Sequence, residues 1–358
     1  MEAYSDDSIE KIESEEKDSE SIPSKYEIIT YPADYTLEGL VLKFNKKQLR
    51  VPGFQRKFVW SINQASRLIE SFLIGLPVPA IFLYSDPDDG VLNVIDGQQR
   101  LLSIVYYFEG YFGEDNQGKR TVFALKGLNE KSLFYDKKYK ALLEKDRAIL
   151  NDAVLRAFIV KQLDPSDSTS IYHIFERLNT GGTQLVGQEV RNCIFHGKFN
   201  DLLKNLNIDE NWRKIFGSPL PDKRQRDIEL ILRFFALNSN FTKYEKPMKD
   251  FLSDFMKKYK NPENKVLDSF AGIFKQICNK TIESLGEKPF HIKKGLNAAV
   301  FDSVFISIAE NLDKVLNKKR YDSLIKNESY LDNVTSSTTD KEVLTKRIES
   351  AKNLLFGL

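Results

Sequence analysis

The side chains best suited to chemistry in this sequence stand together in one pentapeptide, Asp96-Gly97-Gln98-Gln99-Arg100. Arg100 offers a planar cationic fork that matches a phosphate group, and Gln98 and Gln99 offer neutral donors and acceptors. Asp96 fits two roles, a helix cap or a carboxylate that faces a metal ion, and Gly97 lets the backbone approach a ligand closely. The same residues would also suit a capped helix start whose polar side chains are simply solvated.

The pentapeptide lies at a predicted strand-to-helix junction. Apolar residues between 92 and 95 predict a short strand, and those at 101 to 105 predict a helix that packs on a sheet. At such a junction the first backbone N–H groups of the helix have no partner within the helix, and the positive end of its dipole faces outward. An anion or a phosphate group can therefore bind there.

A second dense cluster of polar residues is predicted on two helix ends and the turn that joins them. The helices are predicted at 168 to 178 and from 187 to 197, and Gly181 and Gly182 suit the turn because glycine tolerates left-handed backbone conformations. The polar members of this cluster are Glu176, Arg177, Asn179, Glu189, Arg191 and Asn192. Acids, bases and amides on both sides of a turn suit a ligand-binding loop, and they suit a solvated surface equally well.

A further polar pair, Gln55 and Arg56, lies in the aromatic-rich stretch from 54 to 60. Pro52 and Gly53 break the preceding pattern, so the pair is predicted on a loop or a short extended piece. One interpretation buries the aromatic rings in the core and leaves Arg56 as an ordinary surface charge.

The rest of the pattern predicts a compact α/β unit followed by helices. Thr36 and Ser61 are predicted N-caps of two helices that start at 37 and 62. Strands are predicted at 80–84, 121–128 and 155–163, a helix at 132–143, and an entry segment with two prolines at 21–34. From Phe199 onward the sequence predicts helices almost exclusively, near 200–206, 224–238, 245–260, 263–284, 294–315 and 339–355.

Composition limits the class and the location of the protein. The 358 residues leave room for two domains, and a net charge of +2 gives no overall basic field for nucleic acid. The first 20 or so residues are strongly acidic, which predicts a disordered tail and leaves a more basic body. Two distant cysteines and the lack of a long apolar run predict a cytoplasmic protein with no membrane partner.

Several segments, in order along the chain, resemble the N-terminal domain family of the GmrSD-type restriction endonucleases, a family of DGQQR-box proteins. They are FQRKFVW at 54–60, IGLPVPAIFLY at 74–84, VIDGQQRLLSI at 94–104, FERLNTGG at 175–182 and QEVRN at 188–192. The resemblance covers roughly residues 35 to 260 and implies an α+β fold, in which a ParB/sulfiredoxin-like α/β core precedes a mostly α-helical domain. The domains expected are an acidic tail at 1–25, the core at 26–165 and the helical domain at 166–358.

The resemblance also implies a function, the binding and hydrolysis of a nucleoside triphosphate in a system that restricts phage or foreign DNA. Carried over by position, Asp96, Gln98, Gln99 and Arg100 become the catalytic candidates, since the box contacts nucleotide phosphate in ParB-like relatives. The nucleotide-binding candidates are Gln55, Arg56, Gly97, Arg177, Asn179, Gly181 and Gly182, with Glu189, Arg191 and Asn192 in support. Phosphoryl transfer needs mainly positioned cations, a metal holder and a group that orients water.

Magnesium is the cofactor that this chemistry implies, with Asp96 or Glu189 as its ligand. Longer members of the family carry a second, HNH-type nuclease domain with a His-rich metal site. This sequence has only His173, His196 and His291, widely scattered, so histidine-metal nuclease chemistry is not expected.

Three hypotheses therefore remain open. The first is a nucleotide-hydrolysing sensor or regulatory component of a DNA restriction or anti-phage defence system. The second is a stand-alone magnesium-dependent DNA nickase or endonuclease that uses the same cleft. The third is a non-catalytic module in which nucleotide switches DNA or protein binding. DNA is the expected partner, and a partner nuclease subunit or a second copy of the chain is compatible with the sequence.

Overall fold

The computed structural model describes residues 27–52, 58–113, 120–163, 174, 187–222, 224–293 and 295–357. Contacts between residues divide the chain at Leu185 and Val186 into two compact units. The unit that comes first along the chain contains sheet and helices, and the second is helical. Each unit is described by itself.

The α/β unit is built on a five-stranded mixed sheet. Its strands are β1 (Ile28–Thr36), β2 (Leu49–Arg50), β3 (Ile81–Ser85), β4 (Leu92–Asp96) and β7 (Val154–Gln162), in the order β1-β7-β3-β4-β2. The pairs β1–β7 and β3–β4 are antiparallel, whereas β7–β3 and β4–β2 are parallel. Two short strands, β5 (Tyr111–Phe112) and β6 (Thr121–Val122), form a separate antiparallel ribbon.

Four helices pack with this sheet around one hydrophobic core. They are α1 (Leu37–Asn45), α2 (Ile62–Leu73), α3 (Gln98–Glu109) and α4 (Glu144–Asp152). The two predicted N-caps are confirmed: Thr36 Oγ1 accepts a hydrogen bond from Gly39 N at 3.1 Å, and Ser61 forms a reciprocal capping box with Gln64. These caps fix where the two helices begin, and their apolar faces then fill the core.

This unit differs from the sequence pattern in two places. The entry segment was assigned no strand, whereas residues from Ile28 to Thr36 form β1, whose nine residues pair with β7 more than a hundred positions later in the chain. The stretch predicted as a helix at 132–143 consists of turns and one 3₁₀ turn, Tyr139–Ala141. Asp136 there has a φ of 55°, and the Asp136 N–H bonds to the carbonyl of Leu125, so the chain reverses where a helix would have continued.

The helical unit confirms the prediction made from Phe199 onward. Its helices among the described residues are α5 (Gly187–Ile194), α6 (Lys198–Asn207), α7 (Glu210–Phe216), α8 (Arg226–Asn240), α9 (Met248–Lys258), α10 (Asn264–Leu285), α11 (Ala298–Ala309), α12 (Lys318–Leu324), α13 (Glu328–Thr335) and α14 (Lys341–Phe356). The sequence analysis did not anticipate three short ones, α7, α12 and α13. The fully buried Trp212 of α7 lies in the core, where it packs against the ring of Phe274 at a centroid distance of 5.7 Å.

The predicted α+β class, with a helical C-terminal part, is therefore confirmed. Within the described ranges, no helix combines the length and the apolar character that a bilayer crossing requires.

Candidate functional site

The DGQQR box forms the predicted strand-to-helix junction. Strand β4 ends at Asp96, helix α3 begins at Gln98, and Gly97 joins them with a φ of 94°. A Cβ atom at Gly97 would lie 2.3 Å from Ile81 Cγ2, so both the backbone conformation and the available space require glycine. No side chain caps α3, and Asp96 therefore does not take the capping role that was one of its two predicted roles.

Arg100 is fixed by three hydrogen bonds within the α/β unit. Its Nη1 atom donates to the carbonyls of Pro79 at 2.7 Å and Ala80 at 2.8 Å, and its Nη2 atom donates to Asp96 Oδ2 at 2.6 Å. The Arg100 side chain is 15% exposed and that of Asp96 33% exposed, so the ion pair lies at the edge of the fold and borders solvent. The arginine thus joins the start of β3, the end of β4 and the first turn of α3.

Gln99 holds a different segment against the same helix. Its Oε1 atom accepts hydrogen bonds from the backbone N–H groups of Val59 at 2.9 Å and Trp60 at 3.2 Å. One residue earlier, the Phe58 ring packs edge-on against Tyr106 of α3 at a centroid distance of 5.1 Å and against Phe112 of β5 at 5.3 Å. Residues 58 to 60 are therefore held by the two hydrogen bonds to Gln99 and by the packing of Phe58 against Tyr106 and Phe112.

The chain is anchored on both sides of residues 53–57, which lie outside the described residues. On the N-terminal side, β2 pairs with β4, and on the C-terminal side residues 58 to 60 bind α3. Gln55 and Arg56 lie between these anchors but outside the described residues, and their predicted role stays a prediction.

Sequence reasoning did not identify what Gln99 and Arg100 bind within the protein. Both were predicted to contact a ligand, and the structure places their side chains on backbone groups of other segments. A signal was present for Arg100: the Pro77-Val78-Pro79 run predicts an extended piece, whose carbonyls need hydrogen-bond donors outside a helix. Gln98, in the first turn of α3, is half-buried.

The described part of the second cluster forms a buried network inside the helical unit. Arg191 donates from Nη2 to Glu229 Oε2 at 2.5 Å and from Nε to Gln188 Oε1 at 3.0 Å, and its side chain has no solvent exposure. Gln188 Nε2 also donates to Asn192 Oδ1 at 2.9 Å, and Asn192 Nδ2 donates to Gln225 Oε1. The network joins α5 to the start of α8.

The other members of that cluster, Glu176, Arg177, Asn179, Gly181 and Gly182, lie outside the described residues. Glu189 is described and is buried, with 4% of its surface exposed. Among the ranges that the structure describes, no group of three or more His, Cys, Asp or Glu side chains could hold a metal ion.

Burial changes the acid–base behaviour of two tyrosines in the α/β unit. Burial raises the pKa of Tyr84, with Asp86 and Asp88 adding to the effect, and burial also raises the pKa of Tyr107. Both phenols therefore stay protonated near neutral pH.

Comparison with protein families confirms the predicted resemblance. Residues 37–196 match the family described as GmrSD restriction endonuclease, N-terminal domain. The matched segment contains the DGQQR junction, the segment held by Gln99 and helix α5. A comparison with curated proteins gives no match. The name of that family refers to restriction endonucleases. Residues 37–196 of this chain are therefore similar to the N-terminal domain of the GmrSD-type restriction endonucleases.

Proposed function

We propose that the chain is the ParB-like component of a DNA restriction or anti-phage defence system that binds and hydrolyses a nucleoside triphosphate, with the DGQQR junction as its phosphate site. One observation carries the proposal. Helix α3 begins at Gln98 without a side-chain cap, two residues after the partly exposed Asp96 carboxylate, and Arg100 lies in its first turn. A helix start that lacks a cap has N–H groups and a positive dipole end to offer to an anion.

The residues of the junction would have separate roles in phosphoryl transfer. Backbone N–H groups at the start of α3 would bind phosphate oxygens, and Arg100 would supply a positive charge already fixed in direction by its bonds to Pro79 and Ala80. Pre-oriented charge of this kind stabilises a developing negative charge without further reorganisation. Gln98 is the proposed residue for orienting the attacking water.

Asp96 is the better of the two proposed Mg²⁺ ligands. Its side chain is 33% exposed, whereas Glu189 is buried at 4% exposure. A carboxylate oxygen at the edge of the fold suits a Mg²⁺ ion, which keeps several of its waters and usually binds one or two carboxylates plus the phosphates. When bound, the ion would neutralise phosphate charge, and Asp96 would hold it next to the helix start.

Phosphate release tests the proposal, with purified protein, Mg²⁺ and each of the four common nucleoside triphosphates. We expect turnover in the wild type and its loss in Asp96→Asn, which preserves the shape of the side chain and removes its charge. Asp89→Asn is the matched control, because Asp89 also binds an arginine, Arg50, at 2.6 Å in the same unit. Equal activity in the wild type and Asp96→Asn would contradict the site.

The assignment to a restriction system has a separate test. Modified and unmodified supercoiled plasmids are incubated with the protein and Mg²⁺ or Mn²⁺, with and without nucleotide. Intact plasmid together with nucleotide turnover supports a sensor that needs a partner nuclease. Nicked or linear plasmid supports the alternative in which the chain itself cuts DNA. Nucleotide binding measured by calorimetry, without any turnover, would support the third hypothesis, a non-catalytic module that nucleotide switches.

A further inference from the structure

We propose that Gln99 is a positioning residue, which acts through its Oε1 atom to hold residues 58 to 60 on helix α3 and so keeps the phosphate-binding turn in its binding geometry. The proposal rests on the proposed function for its kinetic consequence. Its structural core can be tested without nucleotide.

One atom of Gln99 satisfies two backbone groups of the neighbouring segment. Gln99 Oε1 accepts two successive backbone N–H groups, those of Val59 and Trp60, at 2.9 and 3.2 Å. Val59 is exposed, at 63% of its surface, so its side chain contributes little burial to keep this segment in place. The amide acceptor therefore holds this segment together with the rings of Phe58 and Trp60, which are partly buried and pack against the core.

Gln99 also lies close to the proposed phosphate site, at the start of α3. Gln99 is the second residue of the helix, so its own backbone N–H belongs to the first turn, where a phosphate is proposed to bind. The Gln99 carbonyl accepts a hydrogen bond from Ser103 Oγ at 2.7 Å, and Ser103 is fully buried. The residue is thus fixed from two sides, and its side chain points to the 58–60 segment.

This positioning role differs from direct participation of Gln99 in catalysis. A glutamine that orients an attacking water must present its amide to the ligand, whereas the Gln99 acceptor is engaged by two backbone donors. Two hydrogen bonds of ordinary net strength contribute about 1 to 3 kcal/mol together. Removing them lowers the equilibrium constant between the ordered and the detached segment by about fivefold or more, and where the detached form then predominates the affinity falls by a comparable factor.

Tryptophan fluorescence measures the attachment directly, because the chain has two tryptophans and they differ in exposure. Trp60 is partly exposed in the held segment, and Trp212 is fully buried in the helical unit, where its Nε1 atom donates to Asn207 Oδ1 at 2.9 Å. Acrylamide quenching of the nucleotide-free protein therefore reports mainly on Trp60. A Trp60→Phe variant should lack the quenchable component and so confirms the source of the signal.

The informative variants change the acceptor and keep the size of the side chain. In Gln99→Leu we expect the quenching constant to rise about twofold, since both hydrogen bonds are lost. In Gln99→Glu we expect the wild-type value, because a carboxylate accepts both bonds. Gln64→Leu is the matched control: Gln64 Oε1 also accepts a backbone N–H, that of Ser61 at 2.9 Å, but this bond caps helix α2.

Kinetics then links the attachment to the site. For Gln99→Leu we expect the KM for the triphosphate to rise about fivefold or more with kcat changed less than twofold, because only ordering of the site is lost. A fall in kcat at constant KM would instead identify Gln99 as the water-orienting group and overturn the positioning role. Unchanged quenching in Gln99→Leu would overturn it whether or not the wild type hydrolyses nucleotide. A failure of wild-type turnover, with the quenching result as expected, would count against the proposed function alone.

Discussion

The two polar clusters of this chain differ in what their arginines do. Arg100 in the α/β unit is held by Asp96 at the edge of the fold, where both side chains keep some solvent exposure. Arg191 in the helical unit has none, and its partners belong to the unit's own helices. Both clusters combine acid, amide and base, yet one borders solvent at a helix start and the other joins two packed helices. Residue types alone therefore do not distinguish a ligand site from a packing network, whereas exposure does.

The largest effect on stability is expected at Arg191. Arg191→Leu removes the positive partner of Glu229, whose side chain is only 17% exposed, and leaves that carboxylate poorly solvated. Breaking a buried pair in this way costs about 3 kcal/mol or more. The expected loss can be measured by urea unfolding followed through Trp212. A free energy of unfolding equal to that of the wild type would show that the network does not stabilise the helical unit.

The next effect is expected at Gly97, with Gly90 as its control. Both glycines have positive φ angles, 94° and 68°, but only at Gly97 would a Cβ atom meet a neighbour, Ile81. Gly90→Ala should cost about 1 kcal/mol from backbone strain, and Gly97→Ala about 3 kcal/mol once the clash is added. Thermal unfolding of the two variants gives the difference. Equal losses would mean that the junction tolerates a side chain and that its close packing is not required.

Arg100→Ala should separate stability from activity. The variant loses three hydrogen bonds of a partly exposed side chain, and we expect about 2 kcal/mol of stability to be lost with the fold retained. Nucleotide hydrolysis should be abolished in the same variant, whereas Arg191→Leu should keep measurable turnover in its folded fraction. Full turnover in folded Arg100→Ala would remove Arg100 from the site.

The smallest effect is expected at the exposed pair of Asp34 and Arg156, which joins β1 to β7. The hydrogen bond from Arg156 lowers the pKa of Asp34 from its ordinary value of 3.8. The pair therefore contributes to the stability of the fold at pH values above 3.8, and this contribution is lost as the pH falls through the lower pKa of Asp34 in the folded protein. NMR titration of the Asp34 carboxyl should show the lowered pKa in the wild type and its return to the ordinary value in Arg156→Ala. An Asp34 pKa equal in both proteins would contradict the bond.

Local patterns predicted the parts of this fold that local interactions determine. Thr36 and Ser61 were identifiable as caps because the capping groups lie within three residues of them. The β4–Gly97–α3 junction was predictable for the same reason. Strand β1 was not, since its pairing partner β7 lies far along the chain; it is an edge strand, which tolerates Pro32.

The same distinction between local and long-range interactions applies to the candidate site. The sequence predicted that the box residues would stand at a helix start, and they do. It did not predict that Arg100 would bind the carbonyls of Pro79 and Ala80, because that contact depends on how β3 lies beside β4, where the pairing register shifts after Phe82. Nor did it predict that Gln99 would hold residues 58 to 60, since those atoms are 40 positions away in sequence.

Hydrogen–deuterium exchange with and without Mg²⁺ and nucleoside triphosphate tests the central claim most directly, because it examines both clusters in one experiment. If the DGQQR junction binds the triphosphate, peptides that contain residues 97 to 101 should become protected, while peptides covering the buried network at 188 to 192 should exchange as before. Protection at 188 to 192 without any at 97 to 101, or no protection at either cluster with all four triphosphates, would contradict the claim.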